Sequence, residues 1–303
     1  MQLSIITTMY RSANYLAEFC QRASAAALQC VTHYEIILVN DGSPDDSLQV
    51  ALDLRANNPN IKIIDLARNH GHHKAIMVGL AQACGELVFL LDVDLEEAPE
   101  LLLEMHKELF RKQADVVYGV QIARQGSWFK RTTGEWFYRL FNSLSAITIP
   151  REMVMARLMR QAFVQALISH RDQEPFLAGL SVLSGFSQVT LAVHKTYKGS
   201  STYTLSRRVS QTINAITAFS SRPLALIFYL GSIISLFGFI FVGYVVVRAW
   251  LFGFAEGWAS VIASIWLIGG LIIFCIGIIG MYLARIYIET KPRPYAIIRK
   301  IYN

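Results

Sequence analysis

Two aspartates one residue apart, Asp92 and Asp94, stand where the apolar run "ELVFLL" ends and a segment of prolines and leucines begins. An ionised carboxylate taken out of water costs several kcal/mol unless something compensates it, so the pair calls for open solvent or a cation. Other polar clusters share that setting. Thr8 and Tyr10 follow "LSIIT", Asp41 lies in "NDGS" after "YEIILV", and Arg68 lies in "ARNHG" after "IKIIDL". Glu96 and Glu97 extend the acidic cluster, although acids just before a helix are also favoured by its dipole. The histidines of "HGHH" invite a zinc reading, but histidine is a common loop residue and metal binding is not expected of them. Further on, Arg124, Lys130, Arg131 and Arg139 interleave with Trp128, Phe129, Trp136, Phe137, Tyr138 and Phe141. Such a mixture suits a helix lying in a lipid interface, with apolar bodies buried and charged heads in water.

The elements that must carry these residues alternate. Strands are predicted over 3–8, 34–40, 61–66, 86–91 and 115–120, and helices over 13–28, 47–56, 73–84 and 99–111. Strands without internal alternation, each followed by an amphipathic helix, make a mostly parallel sheet covered on both faces. In an open sheet of this kind, ligands bind beyond the carboxyl ends of the strands. All four polar clusters therefore converge on one edge.

The chain has 303 residues, 53% of them hydrophobic, and the excess is concentrated late. Residues 223–247 and 258–284 carry no charge, and each run exceeds the roughly 20 residues that cross about 30 Å of hydrocarbon. Two transmembrane helices are expected. Arginines and lysines flank the pair, at 207, 208 and 222 before it and 285, 291, 293, 299 and 300 after it, whereas the connector holds Arg248 alone. Both ends should then be cytoplasmic, and "MQLSIITT" reads as a strand rather than a cleavable signal. The net charge of +6 suits anionic lipid, with no nucleic acid expected as a partner. Cys20, Cys30, Cys84 and Cys275 show no metal-like pairing and are expected in packing. The predicted domains are a catalytic domain over 1–205, with an interface helix within it at 128–149, a juxtamembrane helix over 206–222, two spans within 223–284, and a basic cytoplasmic tail over 285–303.

The order "VNDGSPDDS", "LARNHGHHKAIMVGLAQACGELVFLLDVDLEEAPE", then two apolar spans resembles the family 2 glycosyltransferases that load a sugar onto a polyprenyl phosphate. These are the bactoprenol glucosyltransferase and dolichol-phosphate mannose synthase type. The resemblance covers nearly the whole chain and implies an α/β GT-A nucleotide-sugar domain, a divalent cation and inversion at the anomeric carbon. It implies Asp92 and Asp94 as the catalytic D-x-D, with Glu96, where the family often has Gln, as a third metal ligand. A nucleotide diphosphate cannot sit beside these carboxylates without a cation, and Mg²⁺ or Mn²⁺ suits all-oxygen ligation. Thr8, Tyr10, Asp41, Arg68 and Asp92 are implied donor contacts, with a UDP-sugar favoured and a GDP-sugar the alternative. A lipid phosphate needs cations to collect it, and Lys130, Arg131, Lys195, Lys198 and Arg157 are the candidates. The implied protein is a homo-oligomeric, multi-pass enzyme of the bacterial inner membrane, modifying cell-envelope glycans or lipopolysaccharide.

Three positions depart from the pattern: Met155 stands where relatives have Asp, Gln121 where they often have Arg, and Thr202 where they often have Lys. Two other readings follow. One is a catalytically degenerate membrane partner; the other is a processive polysaccharide synthase, which should carry a Q-x-x-R-W motif where this chain reads "RDQEPF".

Overall fold

The computed structural model describes residues 2–121, 153–193, 220, 222–252, 257–291 and 293–303. Adjacent residues of a strand face opposite sides of a sheet, and both Ile5 and Ile6 are fully buried, so helices cover both faces. The chain runs β1 (Gln2–Met9), α1 (Ala13–Cys30), β2 (His33–Asn40), α2 (Ser47–Asn57), β3 (Ile61–Leu66), α3 (His72–Ala81), β4 (Leu87–Leu90), α4 (Leu101–Arg111) and β5 (Val116–Gln121). After it come β6 (Met153–Arg160), α5 (Gln161–Ser169), α6 (Leu177–Leu183), β7 (Gln188–Val193), α7 (Arg222–Phe252), α8 (Trp258–Glu289) and β8 (Ile298–Tyr302).

Among the described residues, one eight-stranded sheet has the order β7-β5-β6-β4-β1-β2-β3-β8. Its centre is parallel, as expected, with β1 beside β2 and β4, and β2 beside β3. β6 enters antiparallel between β4 and β5, and β8 runs antiparallel along β3. On one face, Leu16, Phe19, Cys20 and Ala23 of α1 and Leu102, Met105 and Leu109 of α4 pack on Leu3, Ile5 and Phe89. Those spacings place each set on one side of its helix. On the other face α3 approaches closely at Gly79, where a Cβ would lie 2.6 Å from Ile6 Cγ2.

The described residues fall into two compact units: residues 2–121, 153–193 and 293–303, and residues 220, 222–252 and 257–291. In the second unit α7 and α8 are 31 and 32 residues long. Within α8, Ile268–Glu289 is apolar, unburied and long enough to cross a membrane; the apolar stretch of α7 over Arg222–Gly238 is shorter. Within the expected basic tail, residues 298–302 form a strand of the first unit's sheet. The expected interface helix at 128–149 lies outside the described residues, as does the juxtamembrane helix apart from Ser220 and Arg222.

Candidate active site

Parallel register brings the strand ends together. Thr8 pairs with Val39 and Met9 with Asn40, while the Leu91 N–H continues the ladder to the Ile6 carbonyl at 3.1 Å. Asp41 follows β2 directly, and Asp92 follows Leu91 at the exit of β4. Arg11 N–H donates to Ser43 Oγ at 2.7 Å, tying the exit of β1 to the "NDGS" loop.

Asp41 is 3% exposed. Its Oδ1 accepts the His70 N–H at 2.7 Å and its Oδ2 the Gly71 N–H at 3.0 Å. Two backbone donors satisfy a buried carboxylate and fix the loop that leads into α3. Gly42 follows in the left-handed region at φ +59°, and a Cβ there would stand 2.5 Å from the Arg68 carbonyl carbon and the Asn69 nitrogen. Only glycine lets the two loops lie this close. Behind them Asn40 Nδ2 donates to Asp65 Oδ1 at 2.8 Å, and the Ser43 N–H donates to Asn40 Oδ1 at 3.1 Å.

Asp92 is more open, with its side chain 31% exposed and Oδ1 3.4 Å from His72 Nε2. His72 Nδ1 lies 3.0 Å from Thr8 Oγ1. That arrangement suits the tautomer protonated at Nε2, with Nδ1 accepting from the hydroxyl. His72 is held below the ordinary imidazole value, chiefly by desolvation and against the pull of Asp41 and Asp94. Asp94 Oδ1 accepts the Glu96 N–H at 3.0 Å, and Leu95 between them sits at φ +61°. A non-glycine residue there stores about 1–3 kcal/mol of strain, which proteins tend to place at functional turns.

Glu97 is 1% exposed and accepts the Met155 N–H at 3.2 Å and the Ala156 N–H at 2.6 Å. It therefore anchors the start of β6. Arg157 is 3% exposed and donates from Nε to the Met155 carbonyl at 3.1 Å. Burial lowers its pKa to about 10, opposed by Glu97, Asp92 and Tyr118, so it stays a cation at neutral pH. Arg157, expected to collect a lipid phosphate, is thus enclosed here within reach of the fields of Glu97 and Asp92.

Thr8 and Asp92 thus meet through His72. Tyr10 is 45% exposed at the end of β1, with the Arg11 guanidinium 5.7 Å from its ring centroid. Arg68 is exposed and lines a cavity with His70 and Lys74. Glu96 is half-buried. No three His, Cys, Asp or Glu side chains among the described residues are gathered as a metal cage, so Asp92, Asp94 and Glu96 are not a preformed three-carboxylate site. Two half-open carboxylates do fit a hard cation of the Mg²⁺ type, which takes one or two protein oxygens and completes its shell from substrate phosphates and water. Lys130, Arg131, Lys195 and Lys198 lie outside the described residues.

Sequence reasoning missed two parts of the site, His72 as the bridge and Glu97 as the anchor of β6. The signal for His72 was its place at the start of the helix after a strand-end loop. In "HGHH" it was indistinguishable from its neighbours.

The profile of the family described as Glycosyl transferase family 2 matches residues 4–168. A Mycobacterium tuberculosis protein assigned to the glycosyltransferases is 45% identical over the whole of this chain and 89% of its own length. The uncharacterized glycosyltransferase YkcC of Bacillus subtilis is 34% identical over the whole of this chain and 95% of its own. In fold, the chain is similar to the crystal structure of glucosyl-3-phosphoglycerate synthase from Mycobacterium tuberculosis in complex with uridine diphosphate. The TM-score is 0.50 and the identity 16%, over 73% of this chain and 79% of that one.

Proposed function

The chain belongs to glycosyl transferase family 2, whose members move a sugar from a nucleotide-sugar to an acceptor, and from that premise we propose that the acceptor here is polyprenyl phosphate at a membrane surface. One observation carries this reading. The chain leaves the catalytic unit after β7, passes through two long helices, one with a 22-residue apolar stretch, and returns as β8 to the same sheet. A segment that starts and ends in one folded unit crosses a bilayer an even number of times, which supports two spans over one. The surplus of basic flanking residues supports a cytoplasmic catalytic unit.

The nucleophile is a phosphate monoester oxygen, largely deprotonated near neutral pH because its second pKa is about 6. It needs no strong base. It attacks the anomeric carbon with inversion as the bond to the nucleoside diphosphate breaks. Asp92 and Asp94 would hold a divalent cation, which would supply positive charge to the departing diphosphate. His72 and Thr8 orient Asp92, Asp41 holds the donor loop, and Arg157 offsets the acids behind the site.

The test is to incubate the purified chain with radiolabelled UDP- and GDP-sugars and polyprenyl phosphate. A labelled lipid, formed only with Mg²⁺ or Mn²⁺, is expected. Hydrolysis of a donor without a lipid product would defeat the acceptor assignment. Inertness toward every donor would favour the degenerate-partner reading that Met155 raises. Reporters after Asn303 and near Asn57 should label on the same side of the membrane; opposite labelling would remove the two-span arrangement.

A further inference from the structure

Beside the loop after β3 lies a cavity of about 430 Å³, lined by Arg68, His70 and Lys74, by Gln173, and by Arg293 and Tyr295 of the segment leading into β8. All belong to the first unit. The C-terminal wall is held in place by several bonds. Ala67 N–H donates to the Ile297 carbonyl at 2.9 Å, and Arg299 Nη2 donates to the Ala67 carbonyl at 2.7 Å. Gln173 Nε2 donates to the Arg293 carbonyl at 2.7 Å.

Three cationic residues line this one volume, and no acid is among the described residues that line it. Lys74 has a partner outside the lining, Glu174 at 2.8 Å, with a carboxylate side chain 57% exposed. Like charges brought together repel unless an anion enters between them. The imidazole of His70 senses this field, its pKa lowered first by burial and then by Arg68 and Lys74, against the opposing pull of Asp41. Burial raises the Tyr295 phenol, which keeps it a hydrogen-bond donor at neutral pH.

We propose that this cavity is a phosphate-binding site, with Arg293 as a ligand beside Arg68 and Lys74. Guanidinium groups present paired donors that match phosphate oxygens. The volume exceeds a bare phosphate, so the occupant is a phosphate ester, either of a nucleotide or of a lipid. The site itself is independent of the acceptor assignment; only the choice of ester rests on that reading.

The test is calorimetric titration of pyrophosphate into the full chain in detergent, in EDTA, so that binding through a cation at Asp92 and Asp94 does not contribute. Arg293→Ala is expected to weaken binding about tenfold, the loss of one charge-assisted contact. Arg293→Lys should recover part of it, and Arg68→Ala and Lys74→Ala should each weaken binding as well. Repeating the titrations with UDP and with farnesyl phosphate assigns the ester: a loss confined to UDP marks the donor, and one confined to farnesyl phosphate marks the acceptor. Unchanged pyrophosphate affinity in Arg293→Ala overturns the proposal. If thermal melting shows that variant unfolded, unchanged affinity in both Arg68→Ala and Lys74→Ala overturns it instead. No turnover is needed, so an inactive chain that binds pyrophosphate keeps this inference while losing the catalytic one.

Discussion

Asp41 and Asp92 lie beyond the exits of β2 and β4, the two strands that flank β1, yet their surroundings are opposite. Asp41 is enclosed, with each oxygen accepting a backbone N–H of the loop beside it. Asp92 is a third open and faces a histidine at 3.4 Å. A carboxylate satisfied by fixed backbone donors has become part of the scaffold. A half-open one beside a second acid stays within reach of whatever binds. The same residue type is therefore tied into the scaffold at one corner and left open at the other, and its environment sets the difference.

That division can be broken most severely at Asp92 and Asp94. Asp92→Asn or Asp94→Asn should lower transfer about a hundred- to a thousandfold, the scale of losing one preorganised electrostatic partner, with the melting temperature unchanged. EDTA should abolish transfer in the parent chain; full activity in EDTA or in either variant would end the distinction. At the other corner stability should fall first. Asp41→Ala strands two backbone donors and should cost about 1–3 kcal/mol in urea unfolding, weakening donor binding as the loop loosens. Gly42→Ala should cost more than about 1 kcal/mol, through its left-handed φ and the 2.5 Å approach of Arg68. An unaltered unfolding midpoint in both would refute the scaffold role.

The link between the corners is His72. Its pKa lies below the ordinary value of 6.5, so the folded chain favours the neutral ring and its contribution is complete above pH 6.5. That contribution is lost as acid protonates the ring below 6.5, placing a cation against Asp92 where a metal should sit. His72→Gln should lower kcat about tenfold, on the scale of one hydrogen bond, and remove this part of the acidic limb. The limb set by the lipid phosphate should remain in both proteins. Identical pH profiles would discard the bridge. The smallest effect is expected at Arg299→Ala, about 0.5–1 kcal/mol of stability, since Arg299 is 61% exposed and 3.5 Å from Asp65.

The central strands were legible because they are uninterrupted apolar runs, and their helices because apolar residues recur every three or four positions. The same rules placed Thr8, Asp41, Arg68, Asp92 and Asp94 at strand exits on one edge. β6 was less visible: "MVMARLMR" carries two arginines, and its antiparallel place between β4 and β5 depends on partners distant in sequence. β8 was hidden for a similar reason. "IRKIY" looks like charge for a membrane surface, and only pairing with β3 makes it a strand. The burial of Arg157 follows from β6 and could not precede it. Lys130, Arg131, Lys195 and Lys198 stay as the sequence left them, candidates outside the described residues.

The pairing of β8 with β3 also sets an order of events during synthesis. β3 is made early and its outer edge finds its partner only after residues 298–302 have been translated. At about 5–20 residues per second, that interval lasts on the order of tens of seconds. Through it the apolar strand "IKIIDL" presents an unpaired edge of the kind that recruits other chains. Nascent protein is thus most exposed to misassembly while its apolar helices are being made, and closure of the sheet by β8 removes that hazard last.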